Sequence, residues 1–484
     1  MIELIKNKQL VHNQIFINNK WVDAHSRKTF EVLNPYDQSR LLEVSEGGTT
    51  DTEIAIKAAY EAFESWKNLT ARERSKILRK WHDLIMQNQE DLAVLLTLEQ
   101  GKPLTESRGE IAYGASFIEW FAEEAKRVYG DTIPGQEVNK RIVILKQPVG
   151  VVAALTPWNF PNAMITRKVA PALAVGCTVV IKPAEDTPLS ALALVQLAKE
   201  AGFPPGVINV VPTSEPKEVG AVLTSSPLVK KLSFTGSTAV GKLLMKQCSD
   251  TVKKLSLELG GNAPLIVFDD ADVEAAVEGA IASKYRNAGQ TCVCANRIFV
   301  QSGIYEHFLE QFTVAVKGLK VGNGLEKVEI GPLINQKGLE KVIRLIENAE
   351  QKGGKVVLGG SLKKENTTLF QPTVLAEATM EMDISQEEVF GPVAPLYKFD
   401  SVEEVIKMAN DTSVGLAAYF YGNNNSLIWK VAEALEYGMV GINTGMISTA
   451  VAPFGGIKES GFGREGSKYG IEDYLVTKYL CLQV

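Results

Sequence analysis

At 484 residues the chain is longer than one hydrophobic core supports, so two to four domains are expected. Its 45% apolar and 22% charged residues are ordinary for a globular protein and exclude a disordered one. The 51 basic and 57 acidic residues give a net charge of −6, and no run of five like charges occurs, which excludes a nucleic-acid surface or a polybasic membrane patch.

The opening MIELIKNKQLVHNQIF lacks the basic start, apolar centre and small-residue cleavage site of a secretory leader, so none is expected. Residues 51–127 have a helical pattern. In DTEIAIKAAYEAFESW the apolar positions Ile54, Ala58, Tyr60, Ala62 and Trp66 alternate with charge at helical spacing. Thr70 and Glu73 then form a capping box that opens the next helix. RIVILK, 141–146, reads as a β-hairpin arm. The uncharged stretch 147–166 is long enough to span a bilayer, but Pro148, Pro157, Pro161, Asn159 and Asn162 exclude a lipid-facing helix. No membrane partner is expected.

From Gly150 the pattern changes. The β-branched runs VGVVAAL, CTVVIKP, VINVV and VKKLSF alternate with helical stretches at 188–201 and 237–248. A second series begins near Pro264, with PLIVF, RIFVQ, KVVLGG, AAYFYG and MVGIN. Such alternation predicts parallel sheets with crossover helices. No repeat of fixed 20–50-residue period is present. Two α/β domains, each with its own sheet, are the expectation.

Neither a phosphate-binding loop of the G-x-x-x-x-G-K-[ST] type nor the standard dinucleotide fingerprint is present. SFTGSTAVG, 233–241, does read as strand, glycine turn and helix. Gly236 there would let backbone approach a pyrophosphate at a helix N-terminus, although a plain strand–turn–helix junction has the same pattern. In VIKPAEDTP, 180–188, a strand ends at Lys182 and Glu185 follows. A carboxylate at that place can accept both hydroxyls of an adenosine ribose and repel a 2′-phosphate, the alternative being a surface ion pair.

RNAGQTCVCANR, 286–297, places Cys292 and Cys294 one residue apart in a chain with five cysteines. A metal site needs further ligands. Cys177, Cys248 and Cys481 are distant in sequence, and His12, His25, His82 and His307 form no ligand pair, so no metal is expected. Widely spread thiols suit a reducing, cytoplasmic compartment, which disfavours a permanent disulfide. A nucleophile is left, and none of the four histidines lies in a motif-like context to serve as its base. The candidate base is Glu258 in LSLELGGNAP, and the candidate oxyanion donor is Asn159, held in TPWNFP between two aromatic residues and two prolines.

Seven segments, TPWNFP, KPAEDTP, FTGST, LELGGNAP, GQTCVCANR, EEVFGP and PFGGIKESGFGRE, resemble in order and spacing those of the aldehyde dehydrogenase superfamily. The resemblance covers the chain from about residue 150 to its end and extends to the helical N-terminal region. It implies that Cys292 is the nucleophile and Cys294 its neighbour. The thiolate would add to an aldehyde, Asn159 and the Cys292 N–H would hold the oxyanion, and Glu258 would activate the water that hydrolyses the thioester. It also implies that Lys182 and Glu185 contact the adenosine ribose and that Gly236 and Ser237 lie against the pyrophosphate. Trp158, Leu259, Glu388 and Phe390 would supply the remaining cofactor contacts, with Glu388 on the nicotinamide ribose. Glu185 favours NAD, with NADP admitted as an alternative.

Within the superfamily, KYRNAGQTCVCANR and GREGSKYGIEDYL are most similar to succinate-semialdehyde dehydrogenases. That similarity implies a substrate with a distal carboxylate, held by Arg167, Arg286 and Ser448. It admits glutarate semialdehyde or a broader aldehyde range as alternatives; together with the one-residue spacing it offers Cys294 as a redox partner of Cys292, the alternative being a small buried core residue. The implied architecture is α/β, with two doubly wound parallel-sheet domains and a β oligomerisation arm. The expected cofactor domain covers 1–126 and 149–258, the catalytic domain 259–460, and the arm 127–148 and 461–484, making a homodimer or homotetramer. A catalytically silent protein on this fold would have lost Cys292, Glu258 or Asn159, and all three are present.

Overall fold

The computed structural model describes residues 2–484. An eight-stranded sheet has a parallel centre ordered Ile208–Val210, Thr178–Lys182, Val151–Leu155, Val229–Thr235 and Lys254–Glu258. These strands carry near-continuous apolar runs because both sheet faces are covered. Along them Val152, Ala154, Val179 and Ile181 enter one core, while Val151, Ala153, Leu155 and Val180 enter another, the period-2 alternation of a strand. Strands Ile15–Ile17 and Lys20–Val22 extend the sheet antiparallel at one edge. They are absent from the sequence-based expectation, because three-residue strands carry too little periodicity to read.

A second sheet of seven strands is parallel apart from its first edge pair. Its order is Lys355–Leu358, Thr373–Ala376, Val393–Phe399, Ala295–Gln301, Ala263–Val267, Ala417–Tyr421 and Met439–Ile442. The strands at 373–376 and 393–399 were not expected. Each contains or follows a proline, Pro372 or Pro395, which disguises it as a loop.

The N-terminal region forms helices Thr49–Lys67, Ala71–Gln87, Gln89–Gln100 and Leu104–Glu124. The capping box is present, with the Thr70 N–H donating to Glu73 at 2.8 Å and the Glu73 N–H to the Thr70 hydroxyl at 3.3 Å. The buried face of the first helix differs from the expected one. Ala55, Ile56, Ala59, Ala62 and Trp66 are buried, whereas Ile54 and Tyr60 are about half exposed. Apolar residues lie on more than one face of this helix, and its docking to the Thr178–Lys182 strand, where Thr178 donates to the Ala59 carbonyl, selects which face is covered.

Strands Asp131–Pro134, Lys140–Pro148 and Leu475–Gln483 form a separate antiparallel sheet. Ile133, Leu145, Tyr479 and Leu482 stand exposed on it. Within 461–484, only this last strand joins that sheet. Gly461–Phe462 instead pairs antiparallel with Leu257 and Glu258 at the edge of the eight-stranded sheet. No helix among the described residues is long and apolar enough to cross a membrane.

Candidate active site

Strand order in the eight-stranded sheet reverses between Val151–Leu155 and Val229–Thr235, and ligands bind in the crevice beyond the C-terminal ends of strands at such a reversal. Four adjacent strand ends meet here. Leu155 leads into 156–161, Lys182 into Glu185, Thr235 into Gly236, and the fourth strand ends at Glu258. The Gly236 N–H donates to the Glu258 carbonyl at 3.0 Å, which locks the last two together. Ser237 caps the Thr238–Cys248 helix, accepting from the Val240 N–H at 3.4 Å, so a helix N-terminus faces the crevice.

The loop carrying Cys292 comes from the other sheet. Asn287 and Ala288 adopt left-handed φ of +52° and +53°, and Gly289 follows at +76°. A side chain at Gly289 would place Cβ 2.1 Å from the Gly391 carbonyl, so glycine is required. This tight turn is held by side chains. Gln290 donates to the Asn287 carbonyl at 3.1 Å and accepts from the Ile334 N–H at 2.9 Å, while Asn287 donates to the Gln290 carbonyl at 3.2 Å. Tyr419 fixes the far side, donating to the Val293 carbonyl at 2.7 Å.

Cys292 and Asn159 face a common cavity of about 380 Å³. The Asn159 amide donates to the Gln290 carbonyl at 3.1 Å, next to the nucleophile loop. Trp158, Gly236, Ser237, Leu259, Glu388 and Phe390 line the same cavity, and the Trp158 and Phe390 rings meet edge to face at 5.5 Å. Glu388 is positioned by Asn296, whose side chain donates to the Glu387 carbonyl at 3.1 Å and accepts from the Val389 N–H at 2.9 Å. Burial raises the Glu388 carboxyl to about 7, although Lys341 and the Gly261 N–H oppose the shift.

Glu185 and Lys182 lie outside this cavity. Glu185 lines a neighbouring one of about 220 Å³ that shares Ile334 and Asn335 with the first. Lys182 is buried, with its ammonium 3.2 Å from the Glu185 carboxylate. Glu258 is 2% exposed and set back from the cavity wall, and neither of its carboxylate oxygens has a hydrogen-bond partner. Burial, then the Glu465 charge, push its carboxyl well above the ordinary range, against the pull of Arg167 and Lys168. Burial likewise raises the Cys292 thiol to about 12, with Arg167 opposing.

Arg286 and Ser448 come together in a small recess with Met446 and Tyr419. The Arg286 guanidinium lies 5.2 Å from the Phe160 ring centre. Arg167 is not in that recess. It is 1% exposed, ion-paired with Glu465, and stacked 4.4 Å over Phe454, with Nη2 lacking a hydrogen-bond partner. Cys294 does not line the main cavity, and its thiol donates towards the Lys284 carbonyl at 3.6 Å. His307 is exposed on the Tyr305–Lys317 helix, beside Gln311. No cluster of three or more His, Cys, Asp or Glu among the described residues could hold a metal ion.

A family model for the aldehyde dehydrogenase family matches residues 21–480. The chain belongs to that family. This aldehyde dehydrogenase is 59% identical over 481 residues to a glutarate-semialdehyde dehydrogenase of Pseudomonas putida, covering 99% of this chain and 100% of the relative. It is 58% identical to an NADP(+) succinate-semialdehyde dehydrogenase of Escherichia coli, covering 99% of each. A crystal structure of succinate-semialdehyde dehydrogenase from Burkholderia pseudomallei matches with a TM-score of 0.98 at 57% identity, covering 99% of this chain and 100% of that one. The protein is therefore an oxidoreductase of aldehydes that uses a nicotinamide nucleotide.

The aldehyde dehydrogenase site contains residues that the sequence reading missed. Asn335 caps the Gln336–Gln351 helix through the Gly338 N–H at 3.1 Å, and Lys337 and Lys341 from that helix line the main cavity. The cap was legible as Asn-Gln-Lys-Gly, but nothing in it tells which cavity it faces. Lys168 and Glu465, 2.5 Å apart and both buried, carry no role in the sequence-based expectation. Together with Arg167, Lys168 holds the Glu465 carboxyl below its usual range despite burial.

Proposed function

We propose that this aldehyde dehydrogenase oxidises succinate semialdehyde to succinate, with Cys292 as nucleophile, Asn159 as oxyanion donor and Glu258 as the base that activates water. The observation that carries the reading is the shared cavity, which brings a cysteine and a side-chain amide together at the switch point of a parallel sheet. The residues fit a nicotinamide dinucleotide. Gly236 and the helix N-terminus at Ser237 suit its pyrophosphate, and the buried Glu388 carboxylate suits a ribose. When bound, the nicotinamide accepts a hydride from the substrate carbon.

The chain's own residues do the rest. The Cys292 sulfur, once deprotonated, adds to the aldehyde carbon. The Asn159 amide and the Cys292 N–H stabilise the charge that develops on oxygen. Loss of hydride leaves an acyl group on sulfur. Glu258, with its carboxyl raised, takes a proton from the water that cleaves this thioester and releases the acid. A distal carboxylate suits Arg286 and Ser448, and the buried Arg167, paired with Glu465, adds positive charge near Cys292.

NAD is the proposed acceptor. Glu185 and Asp186 both line the neighbouring cavity, and burial, then the Glu185 charge, raise the Asp186 carboxyl to about 6. Two carboxylates disfavour a 2′-phosphate. Glutarate semialdehyde is the alternative substrate, since one methylene is worth only about 1–3 kcal/mol in a pocket. The exposed apolar residues on both faces of the three-stranded arm are best explained by a homodimer or homotetramer, and the widely spread free thiols suit the cytoplasm.

The test is the initial rate of NAD reduction with succinate semialdehyde beside butanal. A preference for the acid of about 10² or more in kcat/KM supports the carboxylate reading. Equal rates would make both arginines structural.

A further inference from the structure

Asn159 has a buried support that neither the motifs nor the proposed chemistry uses. Lys102, just ahead of the Leu104–Glu124 helix, has no exposed side-chain surface. Its ammonium lies 2.6 Å from Glu110, donates to the Asn159 backbone carbonyl at 2.7 Å, and sits 3.7 Å from the centre of the Phe160 ring. The same carbonyl accepts from the Asn287 side chain at 3.0 Å, so two donors converge on it. The other oxygen of Glu110 accepts from the N–H groups of Asn162 and Ala163 at 2.9 and 3.2 Å, where the Arg167-bearing helix begins. One turn earlier on the 104–124 helix, Glu106 accepts from the Asn287 N–H at 2.8 Å. A single helix thus holds the Asn159 loop and the loop ahead of Cys292 at once.

A buried cation is costly unless its donors are satisfied. The Lys102 ammonium is met by the Glu110 carboxylate, the Asn159 carbonyl and the Phe160 ring face. A carbonyl pinned by an ammonium and an amide leaves the Asn159 backbone little freedom to rotate, and the direction of its side chain depends on that backbone.

We infer that Lys102 is a positioning residue for oxidation of the aldehyde: by pinning the Asn159 carbonyl it aims the Asn159 amide at the oxyanion beside Cys292. The inference rests on the proposed role of Asn159. A misplacement of about 1 Å in such a donor costs up to about 10² in rate.

The test measures kcat and KM in Lys102→Met, in the charge-neutral pair Lys102→Met with Glu110→Gln, in Asn287→Ala and in Asn159→Ala, each checked for folding by Tm. The pair avoids leaving Glu110 charged and alone, and Asn287→Ala touches no buried charge. The expected result is a fall of about 10–10² in kcat for the pair and a smaller fall for Asn287→Ala, with KM for NAD within about twofold. When the pair is combined with Asn159→Ala, the further loss should be under about threefold, because the amide it positions is already gone. Full kcat in the pair, or a loss that multiplies with Asn159→Ala, overturns the inference. A wild-type enzyme whose rate is untouched by Asn159→Ala would overturn the functional reading instead.

Discussion

Cys292 lines the cavity and a small reagent can reach it, yet burial among apolar neighbours raises its thiol to about 12. Arg167 pulls the other way, while Glu388 and Glu258 add to the rise. At pH 8 about one thiol in 10⁴ would be ionised, against about a quarter of a free cysteine with a pKa of about 8.5. That deficit is about 2 × 10³. A more basic thiolate is intrinsically more nucleophilic, and a Brønsted slope of about 0.4–0.5 returns a factor of about 40. The apoenzyme's Cys292 should therefore alkylate about 50–60-fold more slowly than a free thiol. The assay is iodoacetamide labelling from pH 7 to 10, quantified peptide by peptide, with the exposed Cys481 as an internal check on reagent. The rate at Cys292 should rise about tenfold per pH unit with no plateau. A plateau with a midpoint at or below 9 would refute the argument and mean that Arg167 outweighs burial.

Asn159→Ala should lower kcat by about 10²–10³, as removal of one oxyanion donor does, with KM for NAD little changed in steady-state assays. Glu388, with its carboxyl near 7, is ionised at pH 8 and mostly protonated at pH 6, so the acceptor for the ribose hydroxyls is lost as pH falls. KM for NAD should rise by up to about tenfold across that interval and stay flat in Glu388→Gln, and a flat wild-type profile would count against the contact. Arg286→Met should cut kcat/KM for succinate semialdehyde by about 10² while leaving butanal within about threefold, and equal losses would make Arg286 structural. On the 104–124 helix, Gly114→Ala would put a Cβ 2.2 Å from the Asn162 side chain, whereas Gly109→Ala meets nothing within 4 Å. The first should cost about 1–3 kcal/mol and lower Tm, and the second should be neutral or stabilising by up to about 1 kcal/mol.

The sequence by itself determined the α/β alternation, most strands of the two parallel sheets (though not Thr373–Ala376 and Val393–Phe399, which prolines disguise), the capping box at Thr70 and the cysteine, amide and cofactor motifs. All are local: a strand buried on both faces, a helix cap or a glycine turn is written within a few consecutive residues. It did not determine which face of the first helix is buried, the short edge strands, or the path of Gly461–Phe462, because these depend on what the rest of the chain brings alongside. The tertiary structure alone decided the electrostatics of the site. Glu258 lies 207 residues before Glu465, and Lys102 lies 57 before Asn159. No spacing rule links such pairs. The charge of Arg167, offered by its motif as a carboxylate clamp, is shared with Glu465 only because the chain's C-terminal region folds back against the 163–175 helix, and burial there makes that partnership strong.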